Sequence, residues 1–181
     1  MPTYIALLRG INVSGHKQIR MAELKKSAEA LGFGEVRTYL QSGNLLFSAL
    51  RGDPLRHAKA LSARIASDFE HEVAVLVLSA AKLDQIAGAH PLWPEQGGDA
   101  KLFHATFLFE PVSESVFKAL SLPAGPGEAA VLSDQTIFLH CPHGYGRTKL
   151  NNSYFERALK VPATTRNWRT VLALNELAGG P

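Results

Sequence analysis

The chain has very little cysteine, since Cys141 is the only one among its 181 residues. A single thiol excludes an internal disulfide framework and is typical of a reducing compartment. Long hydrophobic runs are also missing, and the apolar segment at residues 4–8 is far too short to cross a bilayer. No signal-peptide pattern follows that segment. We therefore expect a cytoplasmic protein with no membrane partner.

The sequence also lacks the familiar motifs of metal, redox and nucleophilic catalysis. It has no Cys-x-x-Cys or His-Glu-x-x-His segment, and no Gly-x-Ser-x-Gly turn surrounds Ser42. His140, Cys141 and His143 stand close together, but no second cluster completes the four ligands of a zinc site. We expect no metal and no cofactor. Whether the protein is an enzyme stays open, with binding favoured over catalysis.

What the sequence does contain is an uneven distribution of charge. The formal net charge is only +3, but residues 1–50 carry +3, residues 51–140 carry −4 and residues 141–181 carry +4. Two basic ends therefore flank an acidic middle. If the ends meet in space, one face of the protein is electropositive and favours anionic partners. The alternative is an ordinary mixture of solvated surface charges.

Hydrophobic spacing predicts the order β-α-β-β-α-β in the first half of the chain. The predicted strands cover residues 3–8, 36–40, 44–47 and 73–78. The first helix carries Leu24 and Ala28 on its apolar face, and the second begins at Asp53-Pro54 with aspartate as the N-cap. This order is typical of the ferredoxin-like arrangement, in which two helices cover one face of a four-stranded sheet.

The second half predicts a similar but shorter order. Residues 102–109 form the expected strand, residues 112–120 a helix, and residues 129–140 a hairpin. A capping box predicts a helix from Ser153 to about Lys160, and Thr165 is the expected N-cap of a last helix.

Together these elements predict an α+β protein of two ferredoxin-like halves packed together, the second half incomplete and followed by an extra C-terminal helix. The expected boundaries are residues 1–88 for the first half, residues 89–101 for a linker rich in proline and glycine, and residues 102–181 for the second half.

Polar islands at element ends provide the candidate ligand-binding residues. Three islands occupy residues 8–12, 38–44 and 164–168, and a glycine-rich segment occupies residues 144–151. Side chains and backbone amides converge on ligands at such element ends. The candidates are Arg9, Asn12, Lys17, Ser42, Asn44, Arg147, Lys149, Asn151, Arg166 and Asn167.

Each island also has a purely structural explanation. Arg9 can grip a carboxylate or phosphate, with Asn12 orienting it, or Arg9 can pair with an internal acid while Asn12 closes an Asx-turn. The polar groups around Gly43 can satisfy one another within a turn. Arg166, expected in the first turn of a helix, opposes the helix dipole, so either a bound anion or a nearby carboxylate is needed to explain it.

The segment at residues 144–149 has the character of an anion site. Its glycines free backbone amides, and Arg147 and Lys149 supply positive charge ahead of a predicted helix. It does not have the spacing of a P-loop. The alternative is a plain flexible turn.

Nearly the whole of this sequence resembles a known family. The residues that carry the resemblance are residues 4–13, Lys17, Met21, residues 32–33 and 36–44, and, in the second half, residues 144–150 and 164–171. In these segments the chain resembles the bacterial domain-of-unknown-function family number 1697, although Ser14 stands where the family usually has a second glycine. The resemblance implies a soluble bacterial protein of α+β fold and assigns no activity.

We interpret the chain as a binding protein for an anionic ligand, in a basic cleft between the halves. The ligand classes considered are a nucleotide, a phosphorylated metabolite and a nucleic-acid backbone. An alternative is a transferase or hydrolase without a recognisable triad or metal. Another is a protein-interaction module whose polar islands only brace loops. The aromatic recognition run of RNA-binding sheets is absent.

Overall fold

The structure, a computed structural model, describes residues 1–180 and divides the chain into two units. The first unit contains residues 1–86 and the residues from Leu174 onward, and the second contains residues 87–173. The expected boundaries therefore differ at the end of the chain, where residues 174–180 group with the first unit rather than with the second. Among the described residues, no helix is both long and apolar enough to span a membrane.

The first unit is built on a four-stranded antiparallel sheet. Its elements are β1 (Thr3–Leu8), α1 (Met21–Glu29), β2 (Gly34–Tyr39), β3 (Asn44–Ser48), α2 (Pro54–Phe69), β4 (Val75–Ser79) and α3 (Ala80–Ala87). The strand order is β2-β3-β1-β4, so β1 lies in the middle, where Ile5 faces Leu46 on one side and Leu78 on the other.

Helices α1 and α2 form because their apolar residues recur at helical spacing. Leu24 and Ala28 are buried on α1, and Leu61 and Ile65 are buried on α2. The expected cap of α2 is present, since a side-chain oxygen of Asp53 accepts a hydrogen bond from the backbone of Leu55 at 2.9 Å. These helix faces share a core with alternate side chains of β1. The end of β1 lies beside the loop that enters α1 and beside the segment that joins α2 to β4, where the backbone N–H of Arg9 donates to the carbonyl of Ala74.

The second unit has the same order of strands. Its elements are β5 (Phe103–Leu108), α4 (Glu114–Lys118), β6 (Ala129–Ser133), β7 (Thr136–His140), α5 (Asn152–Leu159), β8 (Ala163–Asn167) and α6 (Trp168–Leu177), which continues into the first unit. The antiparallel sheet has the order β6-β7-β5-β8. One face of the sheet packs on α5 through a core that includes Leu108, Ile137 and Phe155.

The prediction of an incomplete second half is wrong, because residues 163–167 form strand β8. Thr165 pairs with Thr106 of β5, and their hydroxyl groups lie 2.8 Å apart. Adjacent β-branched threonines favour an extended backbone over a helix start. The cap of α6 is Asn167, whose side-chain oxygen accepts a hydrogen bond from the backbone of Arg169 at 3.0 Å.

Helix α5 also begins with a different cap from the one expected. The side-chain oxygen of Asn151 accepts a hydrogen bond from the backbone of Tyr154 at 2.9 Å, so Asn151 rather than Ser153 caps the helix. The carboxylate of Glu156 does not complete a capping box here. It accepts a hydrogen bond from the backbone of Ala163 at 2.9 Å and so ties α5 to the start of β8.

Candidate functional site

The loop between β1 and α1 is held together by the side chain of Asn12. Its Oδ1 accepts from the backbone N–H of Ile19 at 2.8 Å, and its Nδ2 donates to the carbonyls of Ile19 at 3.0 Å and Gln41 at 2.8 Å. The backbone of Asn12 is left-handed, with φ of 53°. Asn12 therefore fastens this loop to the β2–β3 turn, which is a structural role for a residue predicted to bind ligand.

We expect Asn12→Ala to lower the free energy of unfolding by about 2 kcal/mol. The substitution removes three side-chain hydrogen bonds and leaves the buried backbone groups of Ile19 to find other partners. Urea unfolding followed by circular dichroism measures the loss. Ser14→Ala, in the same loop and also at positive φ, is the matched control and should change stability by less than half as much. Equal losses in both variants would contradict the clamp.

The second island, residues 38–44, is braced from within. Asn44 is fully buried, and its Nδ2 donates to the carbonyl of Tyr39 at 2.8 Å and to the hydroxyl of Ser42 at 3.1 Å. The carbonyl of Gly43 accepts from the backbone of Leu8 at 2.9 Å, which ties the turn to the end of β1. Ser42 and Asn44 thus take part in the turn itself.

A basic groove lies beside the end of β1. We use this name for a concavity of about 600 Å³ in the first unit, whose lining includes three basic residues, Arg9, Lys17 and Lys59, and one acidic residue, Glu72. The remaining lining residues are Ser62, Ala63, Ala66, Val73 and Ala74. The volume lies within the range of small-molecule sites in proteins.

Three elements position the cations of the basic groove. Arg9 follows β1 directly, and its backbone N–H donates to the carbonyl of Ala74 at 2.9 Å. Lys17 lies at the far end of the clamped loop, where its Nζ donates to the carbonyl of Glu72 at 2.5 Å. Lys59 lies on the exposed side of α2. The groove therefore joins two residues that the sequence singled out with one that it did not.

Lys59 is absent from the candidates predicted by the sequence because it lies within α2, away from the element ends at which ligand-binding residues are expected. A signal was nevertheless present in α2. Lys59, Ser62, Ala63 and Ala66 recur at spacings of three and four residues, so they share one face of the helix. Three of these four side chains are small, which leaves room for a concavity beside the lysine.

A second concavity of about 430 Å³ lies near the start of α1. Its lining residues are Asn12, Gly15, Gln18, Ile19, Arg20 and Gln41. Arg20 is the single cation among them, and the amide of Asn12 is already engaged in the loop clamp. This concavity therefore offers less positive charge than the basic groove.

The glycine-rich segment of the second unit combines exposed cations with a fixed backbone. Arg147 and Lys149 are both exposed. The segment is tied to the start of α5, because the hydroxyl of Tyr145 accepts a hydrogen bond from the backbone of Asn152 at 2.9 Å. Asn151 caps the helix. The predicted residue Asn151 is thus used as a cap, and the two cations face solvent.

The last island takes a different form from the one predicted. Arg166 lies on β8 rather than in a helical turn, so the argument from the helix dipole does not apply to it. It is 6% exposed, and its Nη1 donates to the hydroxyl of Thr164 at 2.7 Å and to the carbonyl of Thr165 at 3.0 Å. Burial lowers the pKa of Arg166 to about 10. Asn167 donates to the carbonyl of Lys101 at 3.0 Å.

The histidine and cysteine side chains at residues 140–143 have separate surroundings. The ring of His140 stacks on Phe103 with centroids 4.5 Å apart, and a ring nitrogen of His143 lies 3.2 Å from the carbonyl of Pro126. Burial raises the pKa of the Cys141 thiol to about 11, which disfavours a reactive thiolate. Within residues 1–180, no group of three or more His, Cys, Asp or Glu side chains is placed to hold a metal ion.

Comparison with known proteins identifies the family. Residues 1–138 match the family described as protein of unknown function (DUF1697). The chain belongs to the DUF1697 family. The match includes residues 1–86 of the first unit, with the basic groove, and confirms the resemblance over most of the chain. A search of the curated proteins finds no significant match.

A solved structure extends the comparison of this DUF1697 protein to the complete fold. The structure of the conserved bacterial protein SP0830 from Streptococcus pneumoniae is similar, with a TM-score of 0.74 and 24% sequence identity. The match covers 98% of each chain. At this level of identity the likeness shows the fold.

Proposed function

We propose that this DUF1697 protein binds an anionic ligand in the basic groove of its first unit. The observation that carries the proposal is the presence of Arg9, Lys17 and Lys59 around one concavity, against the single carboxylate of Glu72. Cations that line a concave surface focus their field on it and raise the local concentration of anions. Arginine and lysine are also the side chains that bind phosphate and carboxylate groups most strongly.

Hydrogen bonds within the protein hold the backbone of Arg9 and the loop that carries Lys17 in place. The Asn12 clamp fixes the loop that carries Lys17, and a backbone hydrogen bond fixes the position of Arg9 next to Ala74. Preorganised groups lose less entropy when a ligand binds, so the same contacts give a higher affinity. The classes that fit are a nucleotide, a phosphorylated metabolite and a nucleic-acid backbone.

The proposal includes a ferredoxin-like assignment for the scaffold of the site. Its support is the element order β-α-β-β-α-β, together with the antiparallel strand order β2-β3-β1-β4 in the first unit and β6-β7-β5-β8 in the second. In this arrangement the loop after β1 and the segment before β4 lie at the same end of the sheet. Arg9 follows β1 and Glu72 precedes β4, so both residues line the groove from this end of the sheet.

We expect Lys59→Ala to weaken anion binding about tenfold. The loss of one charge-assisted hydrogen bond corresponds to roughly 1.4 kcal/mol. Isothermal titration of the full chain with inorganic phosphate and a nucleotide panel measures it. Arg56→Ala is the matched control, since Arg56 is exposed one turn earlier on the same helix and does not line the groove.

The outcomes separate the proposal from its alternatives. Equal affinities for the Lys59→Ala and Arg56→Ala variants would mean that the anion binds by general charge rather than in the basic groove. Absence of binding to every anion of the panel would remove the proposal. It would favour the interaction module, for which the internal bonding of Asn12 and Asn44 is the supporting observation.

A further inference from the structure

We infer that the ligand of the basic groove is a phosphomonoester that also carries hydrogen-bond donors and is about the size of a nucleoside monophosphate. This inference rests on the proposed function and narrows it. Three features of the groove carry it: its size, the placement of one acid among the cations, and the lining between them.

The groove is much larger than an isolated phosphate group requires. Its volume of about 600 Å³ falls within the range of roughly 300–1,000 Å³ that is typical of pockets for small organic molecules. An inorganic phosphate has five heavy atoms and would occupy a small part of this space. A ligand that fills the groove therefore has a body attached to its anionic group.

The charge of the groove is mixed rather than uniformly positive. Glu72 lines the same concavity as Arg9, Lys17 and Lys59, and it is exposed. A carboxylate repels a second anionic group and accepts hydrogen bonds from hydroxyl and amino groups. A polyphosphate would bring additional negative charge towards Glu72. A monoester with sugar hydroxyls or an exocyclic amine offers this carboxylate hydrogen-bond donors.

Lys17 links the cations that would bind the phosphate to Glu72, which would accept hydrogen bonds from the rest of the ligand. Its ammonium donates one hydrogen bond to the backbone carbonyl of Glu72 at 2.5 Å, and a lysine ammonium has three donors. The contact holds the Lys17 ammonium next to Glu72, the residue that would contact the rest of the ligand. A phosphate bound by Lys17 therefore lies near Glu72, so the rest of the ligand can reach the Glu72 side of the groove.

The remaining lining is small and largely apolar. Ala63, Ala66 and Ala74 present methyl groups, and the hydroxyl of Ser62 already donates to the carbonyl of Val73 at 2.6 Å. Such a surface lets the flat face of a ring or sugar approach closely. It leaves Glu72 as the acidic side chain of the groove that can select for donors on the ligand.

The test compares three phosphate compounds by isothermal titration with the full chain. They are inorganic phosphate, ribose 5-phosphate and adenosine 5′-monophosphate. We expect the affinity to rise in that order, with adenosine 5′-monophosphate at least tenfold tighter than inorganic phosphate. In Glu72→Gln the ratio between these two affinities should fall about fivefold. Inorganic phosphate gains from removal of a like charge, whereas the nucleotide exchanges a charged carboxylate acceptor for the weaker neutral oxygen of an amide. Glu70→Gln, two residues away and outside the groove, should keep the original ratio.

The outcomes distinguish the inference from the proposed function. If the three compounds bind equally, or if Glu72→Gln leaves their ratio unchanged, the inference is overturned while anion binding stands. If the affinities follow the expected order but Lys59→Ala leaves all of them unaltered, the ligand binds outside the groove and the inference also fails. If none of the three binds, the proposed function fails for phosphates as well. Glu72→Gln leaves the backbone carbonyl of residue 72 in place, so the hydrogen bond from Lys17 is kept. We therefore expect the variant to fold normally.

Discussion

Gly43→Ala is expected to lower the free energy of unfolding by about 3 kcal/mol. Gly43 has φ of 85°, a conformation that costs L-residues roughly 1–2 kcal/mol. A Cβ at this position would also lie 2.7 Å from Cδ1 of Ile11 and 2.9 Å from Cβ of Leu8. Both neighbours are buried, so relief of the overlap requires movement of the core, and overpacking typically costs about 1–3 kcal/mol.

Gly10→Ala separates the two contributions. Gly10 has φ of 67°, but a Cβ there would meet no atom within 4 Å. We expect this variant to lose only the conformational part, about 1 kcal/mol. Urea unfolding of both variants gives the comparison. If the two substitutions destabilise the protein equally, the close packing of Gly43 against Leu8 and Ile11 is not a significant constraint.

Acidification from pH 7 to pH 4.5 is expected to destabilise the second unit through two buried histidines. Burial lowers the pKa of His90 and of His104 from 6.5 to about 4. His90 packs among the rings of Phe103, Phe138 and Trp168, and Nδ1 of His104 has no hydrogen-bond partner in the described structure. Hydrogen bonds with the backbone of His104 and of His90 itself favour the charged His90 ring, but the loss of solvation on burial is the larger effect.

The sign follows from proton binding in the two states. Between pH 6.5 and pH 4 the unfolded chain binds protons at both histidines and the folded chain does not, so stability falls as the pH falls. A pKa lowered from 6.5 to about 4 corresponds to roughly 3 kcal/mol in a fully dry site, and we expect about 2 kcal/mol from each ring after allowance for partial solvation.

Urea unfolding at pH 7 and at pH 4.5 measures the effect. His104→Gln removes one titrating group, so the loss of stability between the two pH values should shrink by about half, whatever the stability of the variant at pH 7. His16→Gln, which replaces an exposed histidine of the first unit, is the control and should retain the full loss. An undiminished loss in His104→Gln would contradict the assignment.

The strands and helices of the first unit could be predicted from the sequence because local signals agree with the final packing. The Asp53-Pro54 start of α2 and the periodic burial of Leu61 and Ile65 each indicate the same helix. Strand β8 could not be predicted in the same way. Thr165 is a good N-cap as well as a good strand residue, and only its pairing with Thr106 of β5, distant in sequence, decides between them.

The candidate site could be predicted only in part, for a related reason. Arg9 and Lys17 stand in a loop, where ligand-binding side chains are commonly sought, whereas Lys59 becomes a neighbour only when α2 packs beside that loop. The chemistry of Asn12 was equally ambiguous. An amide in a polar loop can face a ligand or bond to the backbone, and the partner that decides the matter, the carbonyl of Gln41, is 29 residues away.

The route of α6 affects the order in which the protein can be completed during translation. The helix starts in the second unit, but its last turns belong to the first, where Asn175 donates to Asp84 at 3.1 Å and Arg37 donates to the carbonyl of Leu177 at 2.7 Å. A nascent chain that has reached residue 86 has every strand of its first sheet and none of these closing contacts. These last contacts of the N-terminal unit therefore form only after residues 87–173 have been synthesised.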